Sequence, residues 1–276
     1  MKKGVNEWCF PEECSIDQAV TVASKAGFDG IELNLSENGN LSLSSTDQEI
    51  NRLHMKIKDY GLELPSLSTS LLWKYSLTSN NPKEREKGKQ VVKKMSDIAS
   101  LLQIDTILVV PGIVSKEVSY DTAYERSQEA LLELGEYARK SKVTIGIENV
   151  WNKFLVSPLE MKKFIQEINI PNIGVYFDVG NILLYGFPEQ WIQILAELIK
   201  KVHVKDFKTA VGNFSGFTSL LQGDVNWKEV MLALANIQYN DYLIAEIPSH
   251  PIFPEKSLQQ LSQSMDFIIQ EVHSSW

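Results

Sequence analysis

Along the 276-residue chain, short apolar runs alternate with longer segments in which apolar residues recur every three or four positions. The short runs fall at 4–10, 28–35, 63–69, 106–111, 143–149, 173–178, 201–206 and 242–247; they are rich in Val, Ile, Leu and aromatics and read as β-strands. The segments between them carry explicit helix starts. Ser15 with Gln18, Asn81-Pro82 with Glu84, and Ser157-Pro158 with Glu160 each place a capping oxygen ahead of the first turn and a Glu or Gln three residues later. Two of the three add Pro at the first helical position. Within 91–102, Val91, Met95, Ile98, Ala99 and Leu102 keep one face apolar, as a helix covering a sheet requires. Eight strand–helix pairs with connections long enough for a helix predict parallel strands closed into a single (β/α)8 TIM barrel, with 1–276 as one catalytic domain. A doubly wound open sheet is the alternative, but no glycine-rich phosphate fingerprint follows the first strand.

Side chains alternate across a strand, and in a parallel barrel one face packs on helices while the other lines the axis. In 143–148 the β-branched residues share one face, so Glu148 falls on the other with Thr144 and Gly146. The same reading points Asp178, His203, Lys205 and Glu246 inward, and Glu32 and Asn34 on the second strand. The ionisable residues sit late in their strands, at the carboxyl end where barrel enzymes gather their chemistry. A lone Asp or Glu there is ordinarily a turn residue or a helix cap, and Asp178 ahead of Val179-Gly180-Asn181 fits that description. Four such positions on strands five to eight are not explained by capping.

Charge changes the picture next. With 27 basic and 35 acidic residues the formal charge is −8, which offers no general attraction to nucleic acid or to anionic membranes. No apolar run approaches the roughly 18 residues of a membrane span, and Asn6, Glu7 and Trp8 follow Lys2 and Lys3 where a signal peptide would turn apolar. Cys9 and Cys14 are too few for a disulfide framework, and their spacing matches no common thiol motif, so the chain reads as cytoplasmic with reduced thiols. Small molecules are the expected partners, and a homo-oligomer is open. Glu148, Asp178 and Glu246 brought together would repel: two unit charges about 4 Å apart cost about 4 kcal/mol at an effective dielectric near 20. A divalent cation removes that cost. Three oxygen donors and one imidazole suit Mn²⁺ first, with Mg²⁺, Co²⁺ or Zn²⁺ as alternatives, more than a structural zinc site.

The segments GIENVW (146–151), YFDVGN (176–181), VHVKDF (202–207) and AEIPSH (245–250) resemble the metal-ligand segments of the xylose-isomerase-like TIM-barrel sugar isomerases and epimerases. GLELPSLSTS (61–70), NNPKERE (80–86) and KKMSDIASLLQIDTILVVPG (93–112) are similar to the L-ribulose-5-phosphate 3-epimerase and hexulose-6-phosphate isomerase branch, and GDVNW (223–227) to its loop after strand seven. The resemblance implies that Glu148, Asp178, His203 and Glu246 bind one divalent metal and that Glu148 and Glu246 also handle the proton. It implies an isomerase of sugars or sugar phosphates that works through an enediolate, by proton transfer next to a ketose carbonyl. Hydroxypyruvate isomerase, a polyol dehydratase and a non-catalytic sugar-binding barrel are the alternatives.

Two positions depart from the free-ketose 3-epimerases of that superfamily, which typically carry His three residues after the metal-binding Asp and Arg six after the metal-binding His. Here those positions are Asn181 and Thr209. Glu32, Trp151, Lys153, Asn181 and Lys205 are the expected substrate contacts. Lys74 and Lys208 are weaker phosphate candidates. Trp8, Trp73, Trp151 and Phe217 can wall a pocket or simply pack. Asp224 and Trp227 read as the start of the next helix, His54 and His273 as surface positions, and His250 as a residue near the last strand. Four histidines are too few for a trinuclear zinc endonuclease.

Overall fold

The computed structural model describes residues 1–250 and 252–270. Eight strands form the barrel, β1 Lys2–Asn6, β2 Gly30–Ser36, β3 Leu67–Thr69, β4 Thr106–Val109, β5 Thr144–Glu148, β6 Ile173–Asp178, β7 Ile199–Val204 and β8 Tyr242–Ala245, and a two-residue strand, Leu41–Ser42, pairs with the end of β2. Each runs parallel to the next, and Gly4 of β1 lies opposite both Gly30 of β2 and Ile244 of β8, so the sheet closes on itself. Around it stand α1 Ile16–Ala26, α2 Asp47–Asp59, α3 Pro82–Leu102, α4 Tyr120–Lys140, α5 Pro158–Ile168, α6 Pro188–Leu195, α7 Trp227–Asn236 and α8 Pro254–Gln270. This is the (β/α)8 barrel expected from the alternation. Among the described residues no helix is long and apolar enough to cross a membrane.

The capping signals act where the sequence places them. Ser15 and Gln18 form a reciprocal capping box at α1, and Ser157 Oγ accepts from the Glu160 amide at α5. Asn81 accepts from the Lys83 amide ahead of Pro82 and donates to Glu84, 3.1 Å away. Val91, Met95, Ile98 and Ala99 of α3 are wholly buried, as are Ile145, Ile147, Val175, Phe177 and Val202 on the outward strand faces. Each such large side chain contributes about 1.5–3 kcal/mol through burial, and together they seal the layer between sheet and helices.

The first strand is displaced from its expected 4–10. Lys2 and Lys3 hide its start from a hydrophobicity reading; their ammonium groups reach Glu63 and Asp266, each at 2.6 Å. It stops at Asn6 because that side chain accepts from the Trp8 amide (2.7 Å) and opens a 3-10 turn over Glu7–Cys9. The third strand is shorter than 63–69, with Glu63 making an isolated bridge to Gly30 and the ladder resuming at Leu67, past Pro65.

One irregularity sets the site. Between β6 and β7 the register slips, so that Val175 lies opposite Ile199 but Tyr176 opposite Lys201. The extra residue, Lys200, lays its stem where a Cβ on Gly174 would sit, 2.6 Å from Lys200 Cγ. With this bulge, His203 stands beside Asp178 on the inner face; an unbroken ladder would put Val202 there.

Candidate active site

Glu148 ends β5, Asp178 ends β6, His203 lies near the end of β7, and Glu246 follows β8. The register puts all four on the inner face: Glu148 beside Tyr176, Asp178 beside His203, and His203 beside Ile244, two residues before Glu246. One ligand atom from each falls within 4.8 Å of all the others. Glu148, Asp178 and His203 are buried, while the Glu246 side chain is 17% exposed. Above them opens a cavity of about 800 Å³, walled in part by Trp8, Trp73, Trp151 and Phe217.

Asp178 does two jobs at once. Its Oδ1 accepts from the Asn181 amide (2.8 Å) and so caps the short helix Val179–Ile182, as the capping reading foresaw. Its Oδ2 faces the cluster, buried and without a hydrogen bond, although Lys205 Nζ lies 2.9 Å away as an ion partner. His203 Nδ1 is likewise buried and unpartnered, 3.5 Å from Glu246 Oε2 and 4.0 Å from Asp178 Oδ2. A buried orphan atom is costly, about 1–3 kcal/mol, and here His203 Nδ1 converges with three carboxylates. That donor set fits a hard divalent cation, and the four residues can hold one.

Without a cation the charges are held apart unequally. Burial, and then repulsion from Glu246, pushes the Glu148 carboxyl up to about 8, against a partial pull from Lys205. Burial also raises Asp178, with Lys205 opposing. Burial would raise Glu246 too, but Lys205 and His203 outweigh it and hold its carboxyl below the usual range. Lys205 Nζ sits 2.5 Å from Glu246 Oε2. For His203 burial works downward, and Glu32 with Glu246 lifts the imidazole to about 9. The two glutamates of the cavity are therefore pushed in opposite directions, Glu148 upward and Glu246 downward.

The expected substrate contacts separate in space. Trp151, Asn181 and Lys205 line the cavity. Trp151 is fixed by its Nε1 donating to the Asn181 carbonyl (2.8 Å) and by Phe217 against its ring (5.1 Å). Asn181 Nδ2 donates to the Asn149 carbonyl (3.0 Å) and approaches Glu148 at 3.5 Å. Lys153 is exposed in a left-handed turn (φ 60°) and is absent from the cavity wall. Glu32 is fully buried, with both oxygens taken by neighbours, and is absent from the cavity wall. Lys74 is paired with Glu37 at 2.9 Å, and Lys208 is exposed.

The remaining candidates resolve as packing or scaffold. Asn226 caps α7; Trp227 Nε1 donates to Asp206 and Asp224 accepts from Thr209, ties that hold the loop after β7. His250 is exposed and stacks on Phe253, His54 lies on α2, and His273 falls outside the described residues. Sequence reasoning missed Asn149 and Tyr176. Asn149 exchanges hydrogen bonds with the Asp178 backbone (2.7 and 2.8 Å) and ties β5 to β6. Tyr176 packs its ring 4.5 Å from that of His203; its parity with Asp178 was the available signal.

A family model described as xylose isomerase-like TIM barrel matches residues 20–271. A putative L-ribulose-5-phosphate 3-epimerase of Haemophilus influenzae is 25% identical over 99% of this chain and 97% of its own length. An L-ribulose-5-phosphate 3-epimerase of Escherichia coli is 25% identical over 75% of this chain and 74% of its own. Among solved structures, a D-psicose 3-epimerase from Clostridium cellulolyticum H10 crystallised with D-tagatose superimposes with a TM-score of 0.82 at 17% identity, covering 98% of this chain and 99% of that one. That likeness is one of fold.

Proposed function

The chain belongs to the xylose isomerase-like TIM barrel family, and we propose that it is a divalent-metal-dependent isomerase or epimerase of a sugar or sugar phosphate. It transfers a proton at the carbon next to a ketose carbonyl. The observation that carries this reading is the convergence of Glu148, Asp178, His203 and Glu246 at the floor of a cavity that both glutamates reach. Residues 1–276 act as one catalytic domain, and two free cysteines suit a cytoplasmic enzyme.

Glu148, Asp178, His203 and Glu246 would hold one divalent ion, Mn²⁺ by preference, and a bound ion would polarise adjacent substrate oxygens and acidify the carbon-bound proton. The rest of the chemistry belongs to the chain. Glu246, with Lys205 at 2.5 Å, is suited to take a proton at its carboxylate, and Glu148 is suited to return one from the other side of the substrate. Delivery to the opposite face of the same carbon is epimerisation, and delivery to the neighbouring carbon is aldose–ketose isomerisation. Lys205 and Asn181, which line the cavity, would donate to substrate hydroxyls, and the tryptophans of the wall would exclude water.

The relatives' names make L-ribulose 5-phosphate the first substrate to try. The test offers ketopentoses, ketohexoses and their phosphates to chelated protein and to protein with Mn²⁺ restored, with products separated by chromatography. Conversion that stops on chelation and returns with the ion supports the reading. No conversion of any sugar by the ion-loaded protein contradicts it.

A further inference from the structure

Glu32 of β2 lies one layer below the cluster and is completely buried. Its Oε2 receives His203 Nε2 at 2.7 Å and the Asn6 side-chain amide. Its Oε1 receives Ser66 Oγ at 2.6 Å and Tyr176 Oη at 2.5 Å. Four groups that can donate surround one carboxylate, which as an ion only accepts. The proton between His203 and Glu32 therefore belongs to Nε2, and in the neutral ring the lone pair is at Nδ1, the buried atom that faces Asp178 and Glu246 without a hydrogen bond. Tyr176 packs against the imidazole and ties to the same carboxylate, so ring and acceptor are fixed by one network.

We infer that Glu32 is a positioning residue: by accepting the Nε2 proton it fixes the tautomer and orientation of His203 and so sets the affinity of the four-residue cluster for a divalent cation. The inference rests on the metal-dependent reading above. A carboxylate behind a ligating imidazole holds the ring in place and raises its basicity, and loss of such a partner typically weakens metal binding about 10- to 100-fold.

The test measures Mn²⁺ affinity by calorimetry for wild type, Glu32→Gln and Glu32→Ala, with thermal unfolding as the fold control and the ¹H–¹⁵N long-range spectrum of His203 in ion-free protein, at a pH that leaves the ring neutral, as the tautomer readout. Glutamine keeps an oxygen for Nε2–H and can donate its amide to the Ser66 and Tyr176 hydroxyls. Affinity is expected to fall from wild type to Gln to Ala, the last by about 10- to 100-fold. The Nε2–H signature is expected in wild type and Gln and a mixture of tautomers in Ala. If Ala does not fold, the wild type and Gln pair carries the same comparison. Equal Mn²⁺ affinity in folded wild type and variants, or a wild-type proton on Nδ1, overturns the role of Glu32 alone. A wild type that binds no divalent ion overturns this inference and the metal-dependent reading together.

Discussion

Stripping divalent ions from the protein should make its stability fall as the pH rises from about 5.5 to about 7.5, opposite to the usual behaviour of paired carboxylates. The cause is Glu148. Burial and the nearby Glu246 charge push its carboxyl up to about 8, whereas in the unfolded chain it titrates near about 4.3. Between those values the folded state holds a proton that the unfolded state has released, so stability drops by about 1.4 kcal/mol per pH unit. Across the window that amounts to about 3 kcal/mol. His203 acts with the same sign: despite burial, Glu32 and Glu246 lift it to about 9, so its stabilisation is full below the unfolded value of about 6.5 and is lost toward 9. Depressed carboxylates such as Glu133, held down by Lys89 and Lys93, lose their contribution only as pH falls below the ordinary carboxylate range and are constant here. At about 2–4 °C per kcal/mol for a chain approaching this size, Tm should fall by roughly 6–12 °C, read by circular dichroism in chelator. Glu148→Gln should flatten the lower half of the window, and saturating Mn²⁺ should raise Tm more at the upper end than at the lower. A chelated wild-type Tm that is flat or rises with pH, or an unchanged slope in Glu148→Gln, would refute the reasoning.

Gly174→Ala would set a Cβ 2.6 Å from the Leu198 carbonyl and from Lys200 Cγ, so the bulge that aims His203 must move; a loss of about 1–3 kcal/mol by denaturant unfolding is expected, with weaker Mn²⁺ binding, and unaltered binding would separate the bulge from the site. Lys205→Gln removes the ammonium 2.5 Å from Glu246 and should lower kcat/KM about 10- to 100-fold, the equivalent of one charge-assisted hydrogen bond, while shifting the acid limb of the pH–rate profile upward. An unmoved acid limb would show that Lys205 does not tune Glu246. Cys9 is buried, and burial pushes its thiol up to about 12, so native protein should be alkylated at Cys14 alone and at both thiols in denaturant; mass spectrometry finding Cys9 modified in the native state would contradict this burial.

Strand alternation carried much of this site into the sequence. Val202 and Val204 face outward, which leaves His203 and Lys205 for the axis, and the same parity orients Glu148 and Asp178. The bulge at Lys200 was illegible because an extra residue changes pairing without changing the local apolar pattern. Glu32 shows the limit of parity: it tells which face a side chain takes but not its depth, and one layer lower the same inward carboxylate meets His203 in place of substrate. Lys153 lies off the cavity wall for a related reason, since a loop residue in a left-handed turn has no strand period from which to read its direction. The first strand escaped at its start because charged Lys2 and Lys3 are satisfied by partners distant in sequence, Glu63 and Asp266.

Proton transfer at the carbon beside the carbonyl is the central claim, and solvent exchange reports it directly. Mn²⁺-loaded protein would be incubated in D₂O with the ketose and ketose-phosphate panel, the ion removed, and each carbon-bound proton followed by NMR. The account predicts deuterium at the carbon next to the carbonyl of at least one sugar, and loss of that exchange by about 10²- to 10⁴-fold in Glu148→Gln and in Glu246→Gln. Exchange at wild-type rates in both variants, or no exchange from any sugar by the loaded wild type, would contradict it.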